Sequence, residues 1–243
     1  MSTSESYLDY VINKLNKLKE SQKEKIEEAA GFIADSCIAG GRFYVFGSGH
    51  SHMVAEEIYI RAGGLAFVKA ILEPSFMLHE MPNKSTYLER LDGYSSALLK
   101  LYKVEQKDTL MVISNSGRNP VPVEMVLEGK KIGCKVIAVT SMEHSGGVSS
   151  RHHSGLNMYQ AADVTIDNCA DFGDAAYRVE GVETPTGPTS DIMGTAIAQA
   201  LIVTAVGAMA QRGFEPPIFK SSNIDGADEY NNMLFDKYYG YMK

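Results

Sequence analysis

Thr109-Leu110-Met111-Val112-Ile113-Ser114-Asn115-Ser116-Gly117-Arg118-Asn119-Pro120 sets a short apolar run directly against a turn of serine, asparagine and glycine. An apolar run bounded by turn residues predicts a buried strand, and the stretch from Val121 to Lys131 predicts the helix behind it. The same order occurs upstream, where Arg42-Phe43-Tyr44-Val45-Phe46 is the strand, Gly47-Ser48-Gly49-His50-Ser51 its turn and His52 to Ala62 the helix. Lys135-Val136-Ile137-Ala138-Val139 and Ala162 to Ile166 add strands, and a weaker one lies near Leu65 to Val68. Fully apolar strands alternating with amphipathic helices predict the α/β class: a three-layer α-β-α sandwich with a central, mostly parallel sheet of five strands.

Outward from that core, Ser4 to about Ala39 predicts one long helix. Its apolar stripe is Leu8, Val11, Ile12, Leu15 and Leu18, then Ile26, Ala29, Ala30 and Ile33, and Gly40-Gly41 stops it. Pro74 to Ser85 reads as an irregular loop and Tyr87 to Tyr102 as a helix. A long apolar helix spans about Ser190 to Arg212. The chain then passes Pro216-Pro217 into a peripheral helix, Ile224 to Tyr239, within a Tyr- and Met-bearing tail, Tyr230 to Met242. The organisation expected is a helical extension (1–40), an α/β domain (41–212) and a helical tail (213–243). The long first helix and the apolar late one imply a homodimer or homotetramer. Ile192 to Ala210 mimics a membrane span in composition, but it carries Thr195, Gln199 and Thr204 and falls at the short edge of the ~20 residues a span needs. It is expected as a core helix, without a membrane partner.

The 243 residues suit one domain with extensions; 44% hydrophobic and 22% charged residues are enough to build a sizeable core. A net charge of −7 argues against a nucleic-acid surface but not against a phosphate ligand, which helix N-termini bind through backbone N–H groups. Cys37, Cys134 and Cys169 are scattered and lack a CxxC pattern, as expected of reduced thiols in the cytoplasm. The first residues, Met1 to Leu15, lack the apolar stretch of a secretory signal, so the Asn83-Lys84-Ser85 sequon carries no meaning.

In parallel sheets, ligands bind beyond the C-terminal ends of the strands, where both serine-glycine turns fall. Glycine lets backbone N–H groups converge on an oxyanion and serine hydroxyls add donors, so a phosphate is the expected occupant. Such turns could instead merely cap helices, since Ser and Asn are preferred N-caps. Other motifs fail. A dinucleotide fingerprint would need glycine at His52 and an acidic residue at Lys69, a nucleophile elbow would need glycine at Met53, and no Walker A sequence is present. No cofactor is expected.

Gly47-Ser48-Gly49-His50-Ser51 and Ile113-Ser114-Asn115-Ser116-Gly117-Arg118-Asn119-Pro120 resemble the two phosphate loops of the sugar-isomerase (SIS) domain, with Asn119 replacing the last hydroxyl of the second. Val139-Thr140-Ser141 is similar to the segment after the family's next strand. Glu183-Thr184-Pro185-Thr186-Gly187-Pro188-Thr189 to Gly194-Thr195-Ala196 is similar to N-acetylmuramic acid 6-phosphate etherases, and the long N-terminal helix to phosphoheptose isomerases. The resemblance covers roughly residues 40 to 212. It implies a phosphorylated sugar held by Ser48, Gly49, Ser51, Ser114, Asn115, Ser116 and Asn119, with His50, Arg61 and Thr140 as further substrate contacts. The implied reaction is aldose–ketose isomerisation, with phosphosugar lysis or sugar-phosphate sensing as alternatives.

Isomerisation needs a base at cellular pH. Glu57 matches a glutamate position in the isomerase domain of glucosamine-6-phosphate synthase, His79 lies in a loop where family isomerases carry an active-site histidine, and Glu183 precedes the late segment. Glu56 ranks below Glu57, and Glu89 is a weaker candidate because helix-surface glutamates are so common. Where phosphoheptose isomerases carry His and Glu four apart as metal ligands, this chain has Glu57 and Arg61, so no metal is expected there. His152-His153 is also set aside, because adjacent histidines on a regular element point apart.

Overall fold

The computed structural model describes residues 2–240, so Tyr241 and Met242 of the tail lie outside the described residues. Helices α1 (Thr3–Ser21) and α2 (Lys23–Ile38) lead into β1 (Phe43–Gly47), α3 (His52–Glu57), β2 (Val68–Ile71), α4 (Lys84–Leu88) and α5 (Tyr94–Leu101). Then come β3 (Thr109–Ile113), α6 (Pro120–Ile132), β4 (Lys135–Thr140), α7 (Met142–Gly146), β5 (Val164–Asp167), β6 (Ala175–Tyr177), β7 (Thr186–Pro188), α8 (Ser190–Gln211) and α9 (Ala227–Tyr239).

Five strands pair in the order β2-β1-β3-β4-β5, every pair parallel. Alternation along the strands feeds two cores. Phe43, Val45, Met111, Ile113, Ile137 and Val139 meet α2, α3 and α8 on one face. Tyr44, Phe46, Leu110, Val112, Val136 and Ala138 meet α5 and α6 on the other. Both faces are therefore covered, and the three-layer α/β sandwich expected from the continuous apolar runs is the observed fold.

The expected N-terminal helix is two helices, broken at Gln22. The Gln22 Oε1 accepts the Asp167 N–H at the end of β5 (3.0 Å), and its Nε2 donates to Ser21 Oγ (3.1 Å). A contact 145 residues away therefore outweighs the unbroken helical pattern. We expect Gln22→Ala to strand that part-buried N–H and lower unfolding free energy by about 1–3 kcal/mol, read as an earlier urea midpoint with an unchanged m-value. The helix expected over Tyr87 to Tyr102 is likewise two, α4 ending at Leu88 and α5 starting at Tyr94, where the buried Glu124 carboxylate accepts the N–H groups of Gly93 and Ser95 (both 3.0 Å). The helix after the first turn stops at Glu57 rather than Ala62. Sequence periodicity also gave no sign of the β6–β7 hairpin, which lies on α1 through Tyr7 and Tyr177 ring contacts.

Helix α8 is long and apolar enough to cross a membrane. In the fold its Met193, Ile197, Leu201 and Ala205 are buried in the core with α2. The three cysteines are buried and unpaired, and burial pushes the Cys37 thiol up to about 11 and Cys134 up to about 12.

Candidate functional site

From β1 the chain moves outward to β2, then returns past β1 to β3. Connections on either side of this reversal diverge, opening the crevice in which parallel α/β sheets bind ligands. Gly47 of β1 pairs with Ile113 of β3, so Ser48 and Ser114 leave adjacent strand ends. Both serine-glycine turns thus start from one point at the sheet's C-terminal edge.

The first turn is held by close backbone contact. A Cβ on Gly47 would lie 2.8 Å from the His52 nitrogen and nearer still to the Ser51 carbonyl, so only glycine fits. In the second turn Gly117 has φ +57° and donates its N–H to Ser114 Oγ (3.2 Å). Asn115 braces that turn against the strands: its carbonyl accepts from Ser141 N–H (3.1 Å) and Thr140 Oγ1 (3.1 Å), and its Oδ1 accepts from Asn168 Nδ2 (3.0 Å). Thr140, expected as a substrate contact, is fully buried and spends its hydroxyl on this support.

The side chains are not used as helix caps. Ser48, Ser51 and Asn119 stand at the N-cap positions of the first 3-10 turn, α3 and α6, and none makes a side-chain cap bond. Two of them converge on one carboxylate: Ser48 Oγ donates to Glu89 Oε2 (2.7 Å) and Asn119 Nδ2 donates to Glu89 Oε1 (2.6 Å). The hydroxyls of Ser51 and Ser116 make no hydrogen bond among the described residues.

Glu89, the weaker candidate from sequence, is thus the residue that joins the two turns. It sits just past α4, half-buried, with its carbonyl accepting the Val121 N–H at the start of α6 (3.0 Å). Burial pushes its carboxyl above the usual range against the hydrogen bonds from Ser48 and Asn119. The only available sequence signal was position, since Glu89 lies between two strands that end at the crevice.

Arg151 Nη1 donates to Asn119 Oδ1 (2.9 Å) and its N–H to the Arg118 carbonyl (2.8 Å). Arg118 and Arg90 both repel it while Glu89 attracts it, and the Arg118 Nε is buried without a partner among the described residues. Three guanidinium groups against one carboxylate leave an excess of positive charge beside the turns, although the chain as a whole is acidic. The sequence reading passed over Arg90 and Arg151.

The other expected acid–base groups do not join Glu89. Glu57 forms an ion pair with Arg61 and accepts from Gln199 Nε2 of α8 (3.2 Å). His79 is exposed beyond a 3-10 turn (Pro74–Phe76), and Glu183 is exposed in the segment linking β6 to β7. His50 instead borders a cavity of about 190 Å³ with Asp174, Pro188, Ser190 and Asp191. Asp174 accepts the N–H groups of Thr189 and Ser190 (3.0 and 2.8 Å), and burial pushes the Asp191 carboxyl up while His50 pulls it down. Asp191, an acidic residue opening an apolar helix, was visible in the sequence but unused.

The model of the SIS domain matches residues 6–141. A UPF0309 protein of Halalkalibacterium halodurans is 55% identical over 237 residues, 98% of each chain. Among solved structures, phosphoheptose isomerase GmhA from Neisseria gonorrhoeae has a TM-score of 0.58 at 15% identity, covering 84% of this chain and 97% of that one. The Vibrio vulnificus NanR protein complexed with ManNAc-6P has a TM-score of 0.51 at 13% identity, covering 96% of this chain and 69% of that one. Likeness at such identities is one of fold. With more than half its length matched by the domain model and a relative of 55% identity along almost all of it, the chain belongs to the SIS domain family.

Proposed function

We propose that the protein binds a phosphorylated sugar where the two serine-glycine turns meet, and acts on it as an aldose–ketose isomerase. One observation carries the reading: donors from both turns grip the Glu89 carboxylate at the switch point, beside uncommitted hydroxyls and guanidinium groups. The phosphate lies against Ser51, Ser114, Ser116 and the backbone of Gly49, with Arg118 and Arg151 balancing its charge. Asn115 supports this loop from behind, while Ser48 and Asn119 orient Glu89.

In this reading Glu89 takes the proton from the sugar's second carbon and returns it to the first through an enediol, while the proton of the second-carbon hydroxyl passes to the carbonyl oxygen on the first, so Glu89 ends as it began. Its raised pKa suits that exchange better than an ordinary carboxylate would. His50 and Asp191 face the sugar from the neighbouring cavity. Glu57 with Arg61 is a candidate for the far hydroxyls; His79 and Glu183 are assigned no step. The protein acts in the cytoplasm and as a homodimer or homotetramer, the assembly being supported by exposed Leu8 and Ile12 on α1 and Val203 on α8.

Thermal-shift titration with sugar phosphates, then deuterium exchange at the second carbon in D₂O, tests the proposal. We expect Ser116→Ala to weaken binding of a responsive phosphosugar by roughly tenfold, the worth of one charge-assisted hydrogen bond, with Tm unchanged in the absence of ligand. Binding without exchange identifies a sensor and product without isomer a lyase; failure of every sugar phosphate to bind overturns the site itself.

A further inference from the structure

Asp92, His152 and His153 each offer a ligand atom within 4.8 Å of the others, outside the hydrogen-bonded group around Glu89. The divergence expected of adjacent histidines applies to regular elements. Here the pair lies in an irregular stretch between α7 and β5, and the two rings come to 3.9 Å between centroids. The His153 Nδ1 is 3.7 Å from Asp92 Oδ1. Bonds of about 2.0–2.2 Å to a tetrahedral ion place ligand atoms roughly 3.4 Å apart, so this pair needs only a small contraction.

His152 is already oriented. It is 6% exposed, and its Nδ1 accepts the Ser154 N–H (3.2 Å) and lies 2.8 Å from Ser154 Oγ, contacts that hold the ring in place. Two imidazoles and a carboxylate suit Zn²⁺, Co²⁺ or Ni²⁺; Mg²⁺ and Ca²⁺ prefer all-oxygen sites.

We propose that Asp92, His152 and His153 form a binding site for a divalent transition-metal ion, with the remaining coordination open to water. The site uses none of the residues assigned to the phosphate and does not depend on the isomerase reading. Its position gives it a structural consequence. Asp92 follows Glu89 on one segment and His152 follows Arg151 on the other, so an ion here ties together the two segments that flank Asn119.

The test uses tag-free, chelator-stripped full-length protein titrated with Zn²⁺ by calorimetry and with Co²⁺ by visible absorption. Saturable binding of one ion per chain is expected, with the ligand-field bands of four-coordinate Co²⁺. His153→Ala and Asp92→Asn each change exposed residues and should keep the circular dichroism of the parent while weakening affinity at least tenfold. His144→Ala, which lies outside the cluster, should bind as the parent does. Absence of saturable binding, or affinity retained in His153→Ala, overturns the proposal.

Discussion

Glu89→Gln is expected to lower turnover by about 10²–10⁴-fold, equivalent to roughly 3–5.5 kcal/mol of transition-state stabilisation, while leaving phosphosugar affinity within a few-fold of the parent. Glutamine keeps the shape and an oxygen that accepts from Ser48 or Asn119, but it cannot carry a proton between carbons. A split of kcat from Kd is therefore the signature; equal losses in both would mean that Glu89 only shapes the cradle. Proton linkage supplies a second readout. Burial raises the Glu89 pKa, so the native chain holds that proton more tightly than the unfolded chain does. The associated stability is complete below the ordinary glutamate pKa and is lost as pH climbs through the raised value. Glutamine has no such titration, so the stability of Glu89→Gln should decline less than that of the parent across this window, measured by urea melts at stepped pH. Activity should run the other way in the parent, its acidic limb lying above the usual carboxylate range because the base must first lose its proton.

Gly47→Ala is expected to be the most damaging single-methyl addition in the site, costing about 3 kcal/mol, the upper end for overpacking. The obstacle is the backbone peptide between Ser51 and His52, with no flexible side chain to swing away. Relief requires the first turn to move off the strand end, taking Ser48 away from Glu89. Stability and ligand binding should therefore fall together. Gly31→Ala provides the contrast: it lies within α2 with open space around its would-be Cβ, and alanine there should stabilise by roughly 0.5–1 kcal/mol. Comparable stability of the two variants in denaturant melts would show that the first turn has more room than its contacts imply.

The fold was legible because its signal is local and repeated. Each apolar run, such as Thr109 to Ile113, names a strand buried on both faces, and each glycine-serine turn marks its end. What escaped the sequence depends on partners far along the chain. Gln22 breaks a helix in order to reach Asp167, the stretch between Leu88 and Tyr94 interrupts another over Glu124, and the β6–β7 hairpin takes shape against α1. Glu89 was underrated for the same reason: its value comes from Ser48, 41 residues before it, and Asn119, 30 after it. The arginines were missed because they are scattered in sequence within an acidic chain and gather only around Asn119. Among the groups expected to do acid–base chemistry, Glu57 was judged by alignment to a motif, which fixes a helix position but not the ion pair that takes up its carboxylate.

The pairing of α2 with α8 has a consequence for biogenesis. Helix α2 ends at Ile38, and the helix that covers its Ala30–Ile33–Ala34 surface begins only at Ser190. A ribosome adding about 5–20 residues per second needs roughly 8–30 s to cross that gap. Throughout that interval the emerging chain carries a sticky, unclosed flank, which makes the stretch of translation between Ile38 and Ser190 the stage at which chaperone protection matters most.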